Sequence, residues 1–279
     1  MRRGRHQAAS LVIRGRRRFV VRDEAVGLLD GRWVMVPAQN QLAVGTVEER
    51  SDPLSRVLRH WVFIVSLALA LFVGLPWLAP VLMARGYQRP AQLIYFAYGL
   101  TCHQLPERSY FLFGAKAMYS LNEIQAVWPS DNILLRRQFV GTPEMGYKVA
   151  FSDRMVSMYT AMLVGALVFG VLRRRLPRLS WRVFLAVGVL PMFLDGFSHL
   201  VNDVTEWGFR DTNAWFAILT GHQLASGFYA GDALGSLNWW LRLLTGVLFG
   251  LTSVWFIFPF VQQSMDMIGT PSRRDAAPR

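Results

Sequence analysis

The sequence has little charge and almost no cysteine. Of its 279 residues, 17% are charged and 53% are hydrophobic, whereas about 25% of residues are charged in a typical soluble domain. This composition excludes an ordinary soluble protein and is typical of a membrane protein. The single cysteine, Cys102, excludes a disulfide within the chain, so cysteine usage does not indicate the compartment. No signal peptide is predicted, because arginines interrupt the short apolar stretch near the start.

Acidic residues are also scarce. The chain has 30 Lys and Arg against 18 Asp and Glu, which gives a formal charge of +12 at pH 7. Such an excess would suggest nucleic acid if it formed a stripe on a soluble fold. Most of these cations lie instead in the first 59 residues and in RRRLPRLSWR at 173–182, between two apolar segments. Because cations beside apolar spans set topology and attract anionic lipid, we expect membrane lipids, and no nucleic acid, as partners.

Four apolar stretches are long enough to cross a bilayer, which takes about 20 residues in a helix. They are residues 61–83, 155–172, 183–201 and 239–261. The third carries Asp195, His199 and Pro191, and we still predict a span because neighbouring helices can cover such groups. The sequence therefore predicts an all-α polytopic membrane protein, with a four-helix transmembrane bundle in residues 53–262. Gly246 and Gly250, four residues apart in the last span, predict close helix packing.

Arginines beside the spans predict their orientation. They precede the first span, lie between the second and third, and follow the last. The positive-inside rule makes these regions cytoplasmic, which places both termini, including the tail at 263–279, inside a multi-pass protein of the plasma membrane. Residues 84–154 and 202–237 then face outward. The second of these regions is acidic, with Asp203, Glu206, Asp211 and Asp232 against Arg210.

Two further apolar stretches are predicted on the outer side. Residues 91–102 are too few to cross and are typical of a short interfacial or re-entrant helix that Pro106 stops. Residues 212–231 are long enough to cross, but Gly221, His222 and Gln223 interrupt them. A fifth span would also place the arginine-bearing C-terminus outside. We therefore predict a segment on the outer surface.

Residues 1–52 form a separate basic segment on the cytoplasmic side. Their β-branched residues alternate with turn signals such as Leu29-Asp30-Gly31, which predicts a small β-rich appendage. A basic arm lying on anionic lipid is an equally good interpretation, and the sequence leaves the two open.

Polar residues are predicted to meet near the outer ends of the spans. Asp195 and Arg242 should both lie within roughly 10 Å of the outer boundary, so an ion pair between them would pin two helices. His199 follows Asp195 by four residues, and Arg242 follows Asn238 by four, so each pair shares a helix face. Such convergence builds a polar pocket within a helix bundle. The residues expected to bind a ligand there are Arg108, Arg154, Tyr159, Asn238 and Arg242.

Four strings of residues resemble one known family. They are CHQLPERS at 102–109, Arg-x-x-x-x-Tyr at 154–159, Asp195-Gly196, and Asn238-x-x-x-Arg242-x-x-Thr245-Gly246-x-x-x-Gly250. Across residues 90–255 the chain resembles the predicted membrane proteins grouped as domain of unknown function 2085. The resemblance implies an integral membrane protein and does not supply a biochemical activity.

The chain departs from this family at the positions of two thiols. The resemblance implies Cys-x-Arg-Cys in many members where this chain has Ser152-Asp153-Arg154-Met155. With the cysteine of CHQ, those thiols would form a soft-metal or redox set, which a chain with one cysteine lacks. Cys102 is therefore predicted to be a buried, inert thiol. The resemblance also implies glutamine in many relatives at the position of His199.

Several classes of function stay open, and the sequence does not decide whether the protein is an enzyme. The leading interpretation is an accessory or structural subunit, assembled with other membrane subunits or with itself, or a protein whose arginines bind lipid head groups. The alternative is a metal-assisted hydrolase of a lipid or lipid-linked substrate, with His103, Asp195 and His199 as candidate catalytic residues. Zinc would suit such a site, with His103, His199 and His222 as candidate ligands, although no HExxH motif is present.

Overall fold

The computed structural model describes the backbone of residues 12–13, 16–17, 25–29, 32–36, 60–172 and 176–269, and the side chains of residues 60–172 and 176–267. The chain divides into two compact units, Met1–Asp52 and Pro53–Arg279. The first contains two antiparallel strand pairs, β1 (Val12–Ile13) with β2 (Arg16–Arg17) and β3 (Ala25–Leu29) with β4 (Arg32–Val36). These strands agree with the β-rich interpretation of this segment.

The second unit is a helical bundle with one small sheet. In chain order its elements are α1 (Trp61–Ala84), α2 (Gln88–Gly99), β5 (Ser109–Leu112), α3 (Leu121–Val127), α4 (Ile133–Arg136), β6 (Gly141–Thr142), β7 (Gly146–Ser152), α5 (Asp153–Leu172), α6 (Trp181–Thr205), α7 (Phe209–Thr212), α8 (Ala214–Leu219), α9 (Ser226–Tyr229) and α10 (Leu237–Gly269). The helices α1, α5, α6 and α10 are long and apolar enough to cross a membrane. The four predicted spans are therefore confirmed, although α6 and α10 continue beyond their apolar runs.

The helix α10 lies at the centre of the bundle, where it packs against α5 and α6. A Cβ atom at Gly246 would overlap Ser157 Oγ, and one at Gly250 would overlap the carbonyl oxygen of Met158. The two glycines therefore let the backbones of α10 and α5 approach closely, as their four-residue spacing predicts.

The bundle has two different ends. At the first, which we call the Trp61 end, the rings of Trp61, Phe169 and Phe258 pack together, and Trp61 Nε1 donates to Gln262 Oε1 at 3.0 Å. Arg242 lies on the same helix as Gln262, about 30 Å away at 1.5 Å per residue. This distance matches the hydrocarbon thickness of a bilayer. We call the second end the Arg242 end.

The helix α2 folds back along α1 from the Arg242 end. Tyr98 Oη, near the end of α2, donates to the carbonyl oxygen of Phe72, which lies midway along α1. Leu93, Phe96 and Leu100 are exposed along α2. A short helix is therefore confirmed here, and whether it is interfacial or re-entrant stays a prediction. The helix ends at Gly99, however, so the prediction that it reaches Cys102 is wrong, and the CHQ residues lie in the loop that follows.

A three-stranded antiparallel sheet, in the order β5-β7-β6, was not predicted. Its strand β7 packs mainly against α1. Ser109 pairs with Ser152, and Phe111 pairs with Lys148. The chain passes directly from β7 into α5, so the sheet sets the position of Asp153 at the start of that helix.

The segment between α6 and α10 is built from short helices. Residues 212–231 contain α8 and α9 rather than one long helix, and the spanning helices identified in the described residues do not include this segment. This agrees with the prediction that the segment is not a fifth span, while its place on the outer surface stays a prediction. Its position near the Arg242 end follows from Asn238 Nδ2, which donates to the carbonyl oxygens of Arg210 and Gly231.

Candidate functional site

Four arginines and four aspartates pair with one another at the Arg242 end. The arginine side chains keep between 2% and 15% of their surface exposed. Burying an unpaired ion would be strongly unfavourable, so each of these cations requires a carboxylate. The pairs are Arg108 with Asp203 and Asp232, Arg154 with Asp195, Arg210 with Asp195, and Arg242 with Asp153 and Asp232.

Asp232 joins two of the arginines. Arg108 Nε donates to Asp232 Oδ2 at 2.9 Å, and Arg242 Nη1 donates to Asp232 Oδ1. Burial by itself would raise the pKa of Asp232, but Arg108 and Arg242 together lower it well below its usual value. Arg108 also makes two hydrogen bonds of 2.9 Å to Asp203 at the end of α6. Asp232 and Arg108 thus connect the loop after α2 with α6 and α10.

Arg242 also links α10 to the first residue of α5. Its Nε donates to Asp153 Oδ1 at 2.9 Å and to Asp153 Oδ2 at 2.8 Å. The side chains of both residues are only 2% exposed. This ion pair is therefore a buried connection between two spanning helices.

Asp195 pairs with Arg154 and Arg210, so the predicted ion pair between Asp195 and Arg242 is wrong. Arg154 Nη2 donates to Asp195 Oδ2 at 2.7 Å, and Arg210 Nη2 donates to Asp195 Oδ1 at 2.8 Å. The physical reason is that Asp153 and Asp232 already pair with Arg242. Arg154 and Arg210 are the cations that Asp195 meets instead.

The glycine after Asp195 makes room for Arg154. A Cβ atom at Gly196 would lie 2.8 Å from Arg154 Nη1, which is closer than Cβ atoms approach other groups. The Asp195-Gly196 string thus combines an acceptor for Arg154 with the space that its guanidinium needs.

Arg154 differs from the other three arginines in its unused donors. Arg108, Arg210 and Arg242 each donate from Nε, Nη1 and Nη2. Arg154 donates from Nη2 alone, and its Nε and Nη1 have no hydrogen-bond partner among the described residues. With 15% of its side chain exposed, Arg154 can offer these donors to a ligand.

His103 is a neutral donor beside these cations. The backbone N–H of Leu105 donates to His103 Nδ1 at 3.0 Å, so the ring hydrogen of the neutral imidazole is on Nε2. The residue is exposed at the surface, yet protein encloses much of its ring. This enclosure, followed by the charges of Arg108, Arg154 and Arg242, lowers the pKa of His103 well below its usual value.

His199 is buried without a hydrogen bond. It is 4% exposed, and neither ring nitrogen has a partner in the part of the chain that the structure describes. Its Nε2 lies 4.0 Å from Asp195 Oδ1, too far for a hydrogen bond. Asp195, His199 and Asn202 are buried along one face of α6, as the four-residue spacing of the first two predicts.

The remaining predicted site residues lie in different surroundings. Asn238 is 1% exposed and bonded to Arg210 on both sides of its amide. Tyr159 packs against Phe72 and Phe151 in an apolar cluster. His222 is exposed after α8 and lies beside the ring of Tyr229.

No metal site is formed within residues 60–172 and 176–267. In this part of the chain no three His, Cys, Asp or Glu side chains converge in a way that could hold a metal ion. The site's aspartates are paired with arginine instead. Zinc bound by His103, His199 and His222 stays a prediction from the sequence.

Cys102 is buried, as predicted, and lies against β7. Its Sγ accepts hydrogen bonds from the backbone N–H of Ser152 at 3.3 Å and of Gln104 at 3.4 Å. Ser152 Oγ lies 3.5 Å from the same sulfur. One of the two positions at which the family resemblance implies a further thiol is therefore in contact with Cys102.

Sequence reasoning did not assign Asp153, Asp203, Asp232 and Arg210 to the site. The acidic excess of residues 202–237 was the available signal for Asp203 and Asp232, because buried arginines on the spans require carboxylates nearby. Asp153 had a weaker signal, its position next to Arg154 at the start of a span.

The four spanning helices and the ion pairs between them define a polytopic helical membrane protein with a charged site at one end. Residues 144–256 match the model of the family described as "Predicted membrane protein (DUF2085)", which confirms the resemblance seen in the sequence. The chain is also 24% identical over 170 residues to an uncharacterized protein of Methanocaldococcus jannaschii, an alignment that covers 60% of this chain and 67% of that protein. No solved structure matches the chain.

Proposed function

We propose that this protein binds an anionic group, the phosphate or carboxylate of a lipid head group, at Arg154 on the outer side of the plasma membrane. The observation that carries the proposal is the unequal use of the four arginines. Arg154 donates to protein from one nitrogen, whereas each of the other three donates from all three nitrogens. Guanidinium donors recognise phosphate and carboxylate strongly.

The charge around Arg154 supports an anionic ligand. Asp195 is shared by Arg154 and Arg210, so one carboxylate faces two guanidinium groups. His103 adds a neutral N–H donor near these cations, and its low pKa keeps it neutral at physiological pH. An anion would complete the charge pairing and accept the unused hydrogen bonds.

The depth of the site supports a lipid head group. Arg242 lies about 30 Å along α10 from the Trp61 end, which is one hydrocarbon thickness and supports a site near the level of lipid phosphates. Arg178 and Arg182 are exposed at the Trp61 end, which supports a cytoplasmic position for that end. Reporter fusions at Ser130 and Gly227 should register outside the cell and one at Leu179 inside. A cytoplasmic signal at Ser130 would contradict this orientation.

Binding can be tested with the full chain in mild detergent. The probes are inorganic phosphate, phosphatidylglycerol and the zwitterionic phosphatidylcholine, and binding is measured by native mass spectrometry and by the rise in melting temperature. We expect Arg154→Gln to weaken anion binding and Arg89→Gln to leave it unchanged. Arg89 is the matched control because it is exposed on α2 at the same end of the bundle.

Comparing the three probes shows whether the bound anion is a lipid head group or free phosphate. Binding of phosphatidylglycerol but not of phosphate would assign the site to lipid, and equal stabilisation by both would assign it to the phosphate group alone. Equal binding by Arg154→Gln and the wild type would contradict the proposal. A stoichiometric membrane partner that copurifies without retained lipid would favour the accessory-subunit interpretation instead.

A further inference from the structure

A second role follows from the unpaired ring of His199. A neutral imidazole has one N–H donor and one acceptor nitrogen, and burying them without partners is unfavourable. His199 is 4% exposed and lacks a partner for both nitrogens within residues 60–172 and 176–267. The nearest charged oxygen is Asp195 Oδ1, at 4.0 Å from Nε2.

An anionic ligand at Arg154 would compete with Asp195 for the guanidinium of that arginine. Its Oδ2 receives the hydrogen bond of Arg154, and its Oδ1 receives that of Arg210. Arg210 is held in addition by Ser198 and Asn238, whereas Arg154 has no second hydrogen bond from its guanidinium to the described residues. Of the two cations on Asp195, Arg154 is therefore the one that a ligand can draw away.

We infer that His199 is the alternative hydrogen-bond partner of Asp195: when an anionic group takes the guanidinium of Arg154, Asp195 turns to His199 Nε2. This inference rests on the proposed function, because it needs an anion at Arg154. It describes how Asp195 keeps two hydrogen-bond partners after Arg154 has moved to the anion.

The geometry requires only a small movement. Closing the gap from 4.0 Å to the usual N–H···O distance of about 2.9 Å takes about 1 Å. The same movement gives His199 a partner that it lacks without ligand. Arg210 stays on this same oxygen, Oδ1, which then accepts from both side chains, so the charge of Asp195 remains paired. The charged groups around His199 are Arg108, Arg210, Arg242 and Asp232, which are held by their own ion pairs.

The test compares stability without ligand with affinity for phosphatidylglycerol. His199→Phe keeps an aromatic ring and removes both nitrogens, while His199→Gln restores an N–H donor. Since both nitrogens of His199 are buried without a hydrogen bond to the described residues, we expect His199→Phe to leave the ligand-free melting temperature unchanged or to raise it. Its affinity for phosphatidylglycerol should fall about tenfold, because the hydrogen bond to a charged group forms only in the complex. His199→Gln should recover most of the affinity.

His222→Phe is the matched control, because it makes the same exchange at an exposed position and should change neither quantity. Native mass spectrometry gives the affinity in each case. If His199→Phe does not fold, ¹⁵N spectra of histidine-labelled wild type and His199→Gln are compared, because the resonance missing from the variant is that of His199. Adding lipid to the wild type should shift this resonance. Equal affinity of wild type and His199→Phe, or an unshifted His199 resonance, would overturn the inference alone. Failure of the wild type to bind any anionic probe would remove the proposed function and this inference with it.

Discussion

The two ends of the bundle are built by the same four helices with different chemistry. At the Trp61 end, Trp61 packs against Phe169 and Phe258, and the arginines Arg178 and Arg182 are exposed. At the Arg242 end the arginines are buried, and carboxylates from α5, α6 and the segment before α10 pair with them.

This difference separates two uses of arginine in a membrane protein. Exposed arginines next to a span interact with water and lipid phosphate, so they determine orientation and need no partner within the protein. Buried arginines need a carboxylate each, because several kcal/mol are lost per unpaired ion. Arg154 falls between the two classes, since it is paired through one nitrogen and partly exposed. That intermediate position is the reason to test it as a ligand-binding residue.

The largest expected effect is the loss of Arg242. Arg242→Gln leaves Asp153 buried without its cation, so we expect about 3–5 kcal/mol of destabilisation, seen as loss of folded protein after detergent extraction. The control is Arg182→Gln at the Trp61 end, where the exposed guanidinium lies over the Trp181 ring and the expected effect is about 1 kcal/mol or less. Equal yields of the two variants would show that the ends do not differ in this way.

A double-mutant cycle sharpens the comparison within the Arg242 end. Asp195→Asn and Arg210→Gln remove two sides of one ion pair, so their effects on the free energy of unfolding should couple by about 0.5–3 kcal/mol. Asp195→Asn and Arg242→Gln share no ion pair, so their coupling should be smaller than that of Asp195 with Arg210. The measurement is the melting temperature of the singles and doubles in one detergent. Coupling between Asp195 and Arg242 instead would restore the pairing expected from the sequence.

The spanning helices could be predicted from long apolar runs, because a single segment that crosses a bilayer must form a helix to satisfy its backbone hydrogen bonds. The end of α6 was misplaced because Asn202 and Asp203 look like loop residues, yet the protein supplies their partners, Asp211 and Arg108. Only tertiary structure reveals those partners. The pairing of Asp195 was wrong for the same reason.

The sheet was missed because β7 does not alternate between buried and exposed residues. All of Gly146–Ser152 is buried except Tyr147, which is partly buried, so the strand has no period of two to detect. The site residues on spans were found because charges in apolar runs are conspicuous. The unpaired ring of His199 could not be predicted, since it depends on distances between helices.

Lys148 offers an effect that depends on pH. It is fully buried, and Nζ donates to the carbonyl oxygens of Gln104 at 2.7 Å and Arg137 at 2.6 Å, with no carboxylate of the described residues bonded to it. Burial is the main cause that lowers the pKa of Lys148 to about 7, against about 10.4 in an unfolded chain. Between these values the unfolded state binds more protons, so stability should rise with pH, by at most about 1.4 kcal/mol per unit.

The variant that tests this is Lys148→Met, which keeps the length of the side chain and removes its charge. We expect the melting temperature of the wild type to rise from pH 7 to pH 10 relative to that of Lys148→Met. Parallel curves for the two proteins over this range would contradict the assigned role of the buried ammonium group.

The smallest effect is expected from Trp61→Phe at the opposite end. The change removes the hydrogen bond from Nε1 to Gln262 but keeps an aromatic ring against Phe169 and Phe258. A single neutral hydrogen bond contributes about 1 kcal/mol, so the melting temperature should fall by a few degrees at most and extraction yield should be unchanged. If Trp61→Phe instead reduced folded yield as much as Arg242→Gln, the Trp61 end would depend on its polar contact too. The contrast between a packed end and a charge-paired end would then fail.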